Sequence, residues 1–196
     1  MIEPALTPGE NMKKIPTVFM RDPENMSRLL NEPHPDCAWV FAGEGTATQK
    51  YDGMCCKIVG GVLLKRREVK KGNPEPENFM FEQLDEITGK KVGWVSTYPD
   101  DPSDKYFYEA FDADMPPDDG TYELVGPKVQ GNPESLPVHQ LIAHATAFQY
   151  DNVPVDIDLL QQWLIGKDIE GLVWHHPDGR MAKIKLKDFG IKREPS

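Results

Sequence analysis

The string Lys50-Tyr51-Asp52-Gly53 places a lysine just ahead of an apolar, cysteine-containing run, "MCCKIVGGVLL". A lysine there is either a solvated strand end or an amine held at the mouth of a pocket to attack an electrophile. A second pattern lies far along the chain, in "AKIKLK", where Lys183, Lys185 and Lys187 alternate with Ile184 and Leu186. On a strand these lysines share one face, and such a row is either an anion site or a solvated edge. The thiols point to no chemistry. Cys37, Cys55 and Cys56 make neither an even disulfide framework nor a C-x-x-C pair, and they read as buried free cysteines.

Several elements must position these residues. "IPTVFM" (15–20) is the one clear apolar run of the first 36 residues, and "DPENMSRLLN" after it reads as a short helix with Pro23 at its first position. "CAWVFAG" reads as a buried strand. "KYDGMCCKIVGGVLLKRREV" reads as two strands joined at Gly60-Gly61, a hairpin signal. Further on, "ENFMFEQLDEITG" is expected to be a short helix, and "KVGWVSTY" and "YFYEAFDA" strands. "GTYELV" is a strand closed by Gly126-Pro127. "DIDLLQQWLIG" has apolar residues at helical spacing between an acidic start and a glycine, with Trp163 on its core face. "IEGLVWHHPDGRMAKIKLKDFG" is two strands around a Pro-Asp-Gly turn.

The chain has 196 residues, 39% hydrophobic and 28% charged, which suits one folded domain, with residues 1–14 expected to be irregular. No apolar run is long enough for a bilayer, and the N-terminal residues do not read as a signal peptide, so a cytoplasmic protein is expected. A formal net charge of −10 argues against broad non-specific attraction to nucleic acid. The positive charge gathers in "KRREVKK" and "KIKLKDFGIKR", a separation that suits an anionic ligand in one basic cleft.

Taken in order, "KYDG" at Lys50, "YELVG" at Glu123, "EGLVW" at Glu170 and "KIK" at Lys183 and Lys185 resemble motifs I, IIIa, IV and V of the lysine-adenylating nucleotidyltransferases. Within that superfamily the chain looks closest to the RNA 5′-3′ ligase family best known from vertebrates. "KYDGMCC", "YELVGPKVQGNP", "PVHQLIAHATAFQ" and "IEGLVWHHPDGRMAKI" carry the resemblance, which extends from about Ile15 to Gly190 and is weakest in the acidic middle.

The resemblance implies a role for each residue. Lys50 would attack the α-phosphorus of ATP to form a lysine-AMP phosphoramidate and release pyrophosphate. An amine attacks only when deprotonated, so nearby Lys183, Lys185 and a metal ion are expected to disfavour its ammonium form. Lys183 and Lys185 would clasp the α-phosphate, with Lys187 solvated. Glu170 would help hold Mg²⁺ or Mn²⁺, and Glu123 would contact the ribose or support the metal. Gln49, Asp52, Gly53 and Arg66 would line the nucleotide site, with adjacent Arg67 an alternative to Arg66. The adenine-stacking aromatic stays open among Trp94, Phe107 and Tyr108. A zinc site is not expected, because His139 and His144 fall on different helix faces and His175 and His176 on opposite sides of a strand; packing or RNA contact is their reading.

The resulting expectation is one α+β domain of antiparallel sheets, an adenylyltransferase of ATP-grasp-like ligase type without a C-terminal OB domain. Its cleft would be floored by the strands of Lys50, Glu123, Glu170 and Lys183. The reaction implied is ATP-dependent joining of an RNA 5′-phosphate to a 3′-hydroxyl by a monomer. Adenylylation of another acceptor, DNA or protein, and a non-catalytic nucleotide-binding module are the alternatives.

Overall fold

The computed structural model describes residues 14–86 and 88–193, so the expectation for residues 1–14 lies, Lys14 apart, outside the described residues. In chain order the strands are β1 (Phe19–Arg21), β2 (Leu29–Pro33), β3 (Thr46–Lys50), β4 (Met54–Val59), β5 (Val62–Val69), β6 (Met80–Asp85), β7 (Lys90–Ser96), β8 (Gly120–Val125), β9 (Gln140–Ala143), β10 (Gln149–Tyr150), β11 (Gly171–His175) and β12 (Met181–Lys185). The helices are α1 (Ala38–Phe41), α2 (Lys105–Ala110) and α3 (Ile157–Ile165). The strands pair antiparallel in sheets of two, four and six. No helix among the described residues is long and apolar enough to cross a membrane.

Packing divides the chain into two compact units: residues 15–51 with 147–193, and Lys14 with residues 52–146. The first is built on the sheet β10-β3-β11-β12. One face of that sheet, carrying Ala47, Leu172, Trp174, Ala182 and Ile184, packs against Trp39 and Val40 of α1 and Leu160 and Leu164 of α3. α3 forms as its sequence predicts. The Asp156 side chain accepts from the backbone N–H groups of Asp158 and Leu159, and Leu160 and Leu164 fall one turn apart on the buried side.

The second unit is the six-stranded sheet β6-β7-β5-β4-β8-β9. The hairpin β4-β5 turns at Gly60 and Gly61, whose φ angles of 56° and 75° are left-handed values that glycine adopts without strain. Ile58, Leu63 and Leu124 on one face pack against Phe107 and Phe111, one turn apart on the α2 segment. The opposite face, set by strand register, carries Cys55, Lys57, Arg66, Trp94, Thr121 and Glu123.

Four expectations about elements are corrected, each by a local competitor. In "DPENMSRLLN" the side chains of Asp22 and Asn25 accept from the backbone N–H groups of Glu24 and Ser27, which closes a loop and sends Leu29–Pro33 into β2 instead of a helix. "CAWVFAG" is the end of a 3₁₀ turn followed by α1; Pro35 starts the turn, and the His34 ring accepts from the Asp36 N–H. A short apolar run reads alike as buried strand or buried helix. "ENFMFEQLDEITG" contains β6, because β7 offers a partner edge and Asp85 closes the following turn through the Thr88 hydroxyl. "YFYEAFDA" is helical. Its aromatics favour strands, but Asp101 accepts from the Ser103 N–H and Pro102 starts a helical turn that runs into α2.

Candidate active site

In the first unit, strand register sets the site. Gly171 on β11 lies opposite Lys50 on β3 and opposite Lys185 on β12, while Val173 lies opposite Thr48 and Lys183. All six therefore point away from the apolar core, and three lysines share one face of a sheet. Glu170, just ahead of β11, reaches into this group. Its carboxylate accepts from Lys50 Nζ at 2.5 Å and from Lys185 Nζ at 2.7 Å. The face thus gathers three lysines around the Glu170 carboxylate, with Asp188 close enough to act on Lys183.

The electrostatics differ from residue to residue. Burial alone would raise the Glu170 carboxyl, but Lys50 and Lys185 together outweigh it and hold the group below its usual value. Among the described residues no carboxylate pairs with Lys183. Burial, reinforced by the positive charges of Lys185 and Lys50, lowers its ammonium to about 8 against the opposing pull of Asp188 and Glu170. Beside the neighbouring cations that the sequence reading names, Lys50 also has the Glu170 carboxylate, which accepts from its Nζ.

Two features fix the β12 lysines that the sequence reading left unnamed. Gly171 lets β11 and β12 approach closely, since a Cβ there would lie 2.0 Å from the Ile184 carbonyl oxygen and 2.8 Å from Lys185 Cα. Asp188, 7% exposed, accepts from the Lys185 backbone N–H at 2.9 Å and from Arg21 at 2.5 Å. The acidic residue three positions after Lys185 is the local signal that marks this cap. The segment before β1 also lies along β12: Val18 donates to the Lys183 carbonyl, and the Lys183 N–H donates to the Pro16 carbonyl, each at 2.9 Å. Lys187 is exposed on a 3₁₀ turn beyond the strand. Gln49 alternates to the other face of β3 from Lys50, where the Tyr150 hydroxyl donates to it.

The second unit holds the remaining candidates. Glu123 is 8% exposed, and its carboxylate lies 3.0 Å from His144 Nε2. The same ring contacts the Thr121 hydroxyl at 3.0 Å through Nδ1, so His144 clamps two residues of β8. Gly53 lies against that strand, where a Cβ would come 2.2 Å from the Leu124 carbonyl oxygen. The Asp52 N–H donates to Glu134. Arg66 lies over the Trp94 ring at 5.8 Å and Lys57 at 5.9 Å, while Arg67 is exposed. Of the three aromatics left open, Phe107 is buried in the core and the Tyr108 hydroxyl bonds to Thr97, while Trp94 sits beneath the two cations.

No group of three or more His, Cys, Asp or Glu among the described residues could hold a metal ion. A single carboxylate such as Glu170 still suits Mg²⁺, which commonly takes one or two carboxylates together with substrate phosphates and water.

Residues 115–195 match the family model of RNA ligase 1. Curated RNA ligase 1 proteins align with a similar share of the chain. That of Pongo abelii is 40% identical over 80 residues and that of Rattus norvegicus 40% over 81, each covering 36% of this chain and 24% of the relative. That of Danio rerio is 35% identical over 81 residues, covering 37% and 25%. The match therefore spans about a quarter of the length of these relatives. It contains Glu123, Glu170, Lys183 and Lys185, whereas Lys50 and Arg66 precede it. Over residues 115–195 this chain is similar to RNA ligase 1.

Proposed function

We propose that the chain is an ATP-dependent RNA ligase acting through a lysine-AMP intermediate on Lys50. The observation that carries this reading is the convergence of Lys50, Lys183 and Lys185 on one sheet face around Glu170. A lone lysine ahead of a strand is ordinary; a lysine flanked by two more and a shared carboxylate is a phosphate-handling arrangement.

Lys50 Nζ, having lost a proton, forms a bond to the α-phosphorus of ATP as the bond to pyrophosphate breaks. AMP then passes to the 5′-phosphate of an RNA end, and a 3′-hydroxyl attacks that phosphate, releasing AMP and forming the phosphodiester. Lys183 and Lys185 neutralise the α-phosphate oxygens as charge shifts between them. Glu170 holds the Lys50 ammonium before substrate binds and is the carboxylate that would hold Mg²⁺ or Mn²⁺, which would screen the phosphate oxygens. The resemblance assigns nucleotide binding to Glu123, Asp52, Gly53 and Arg66, which lie in the other unit, and to Gln49, which turns to the face of β3 away from Lys50.

The test offers the protein ATP with 5′-phosphorylated RNA, 5′-phosphorylated DNA or a protein acceptor. AMP-capped RNA and a sealed RNA product are the expected result. Capping of DNA or protein with RNA untouched would move the chain to the wider class of adenylyltransferases.

A further inference from the structure

A cavity of about 520 Å³ opens in the first unit at the Met181 end of β12, opposite the end that carries Lys185. It shares no lining residue with the lysine cluster. Pro16, Pro35 and Met181 supply apolar wall, and Trp39, 4% exposed, lies beneath the Arg180 guanidinium at 5.6 Å. The pocket is open to solvent, and its volume lies within the range of small-ligand clefts.

The Arg180 side chain and the Asp36 backbone are held in place, while the Asp36 carboxylate projects into solvent at the rim. Arg180 Nε donates to the two Asp178 oxygens at 3.1 and 2.8 Å, and its Nη2 lies 3.2 Å from the His176 ring. Asp36 is fixed through its backbone: the Trp39 indole N–H donates to its carbonyl at 3.0 Å, and its own N–H donates to His34 Nδ1 at 3.2 Å. The Asp36 side chain is 80% exposed.

A phosphate is a poor occupant, because Asp178 offsets the charge of Arg180 and Asp36 repels an anion. A flat group with apolar faces and a polar edge fits better. It must offer N–H donors to the Asp36 carboxylate and acceptors to the Arg180 guanidinium. Guanine presents two adjacent donor groups, N1–H and the 2-amino group, that match both oxygens of a carboxylate and still leaves O6 and N7 as acceptors for a guanidinium, whereas adenine, cytosine and uracil each offer a carboxylate a single donor group. Along β12 the step from Met181 to Lys183 is about 6.6 Å, near the reach of one nucleotide.

We propose that this cavity is a guanine-selective nucleobase subsite that seats a guanosine of the RNA strand close to the end being joined. The RNA part rests on the ligase reading above; the base selectivity does not.

Equilibrium dialysis of guanosine, adenosine, cytidine and uridine tests it on wild type, Asp36→Asn, Arg180→Gln and Lys50→Ala. Guanosine is expected to bind at least tenfold tighter than the other three, about tenfold weaker in Asp36→Asn and Arg180→Gln, and unchanged in Lys50→Ala. The exposed Asp36 side chain can be altered without disturbing the core, so that variant keeps the test decisive if Arg180→Gln fails to fold. Equal binding of all four nucleosides, or a guanosine preference that survives in Asp36→Asn, overturns the subsite. Labelling of the protein by ATP is scored in parallel. Its loss in wild type removes the ligase reading while the guanosine result still stands. If sealing occurs, RNAs with guanosine near the joined end are expected to outcompete those without it, and a preference unmoved by Asp36→Asn contradicts the assignment.

Discussion

Lys183 is a half-buried ammonium that no carboxylate among the described residues pairs, and this sets a measurable pH dependence. Its native value of about 8 lies below the ordinary 10.5, so between those values the unfolded chain binds more protons and stability rises with pH. Below pH 8 both states are protonated and the full cost is present, on the order of 3 kcal/mol. Lys183→Met is therefore expected to melt higher than wild type at pH 7, with the gain disappearing towards pH 10.5, while ATP labelling is lost. An equal gain at both pH values would rule out the charge as its source. At this scale the order of motifs along the chain singles out Lys50, Glu170, Lys183 and Lys185, and the structure brings these four side chains together. The ion pair between Lys50 and Glu170 joins residues 120 positions apart and had no local signature.

The β11-β12 pair is the element on which the lysine face depends. Gly171→Ala places a methyl group against the Ile184 carbonyl, and a strand displacement costing about 1–3 kcal/mol is expected, with ATP labelling falling more than stability does. Thermal melting and labelling of the same preparation check this. Asp188→Ala leaves the Lys185 N–H and the Arg21 guanidinium without their shared acceptor, and a loss of about 1–3 kcal/mol is expected in urea titration. Elements with strong local signals were legible: the Gly60-Gly61 hairpin, the Asp156-capped helix and the Pro-Asp-Gly hairpin. The misread segments are those where intrinsic preference and the local or tertiary partner disagree. The aromatics of α2 favour strands, yet its capped start makes a helix, and β6 has an open helical reading until β7 supplies its partner.

For the whole molecule, a net charge of −10 confines any RNA contact to local basic surface. Binding of a single-stranded 5′-phosphorylated RNA is expected to weaken about twentyfold between 50 and 200 mM salt if some three phosphates are contacted. Affinity indifferent to salt in a filter-binding titration would refute the electrostatic account. The family match begins at residue 115, so the assignment of Lys50 rests on its placement beside Glu170, Lys183 and Lys185. The most direct measurement is incubation of purified wild type and Lys50→Ala with α-labelled ATP and Mg²⁺ or Mn²⁺, followed by denaturing electrophoresis and intact mass. Covalent AMP on wild type and none on Lys50→Ala is the predicted result. AMP on both proteins would place the nucleophile elsewhere, and AMP on neither, before or after incubation, would contradict the lysine-adenylate mechanism.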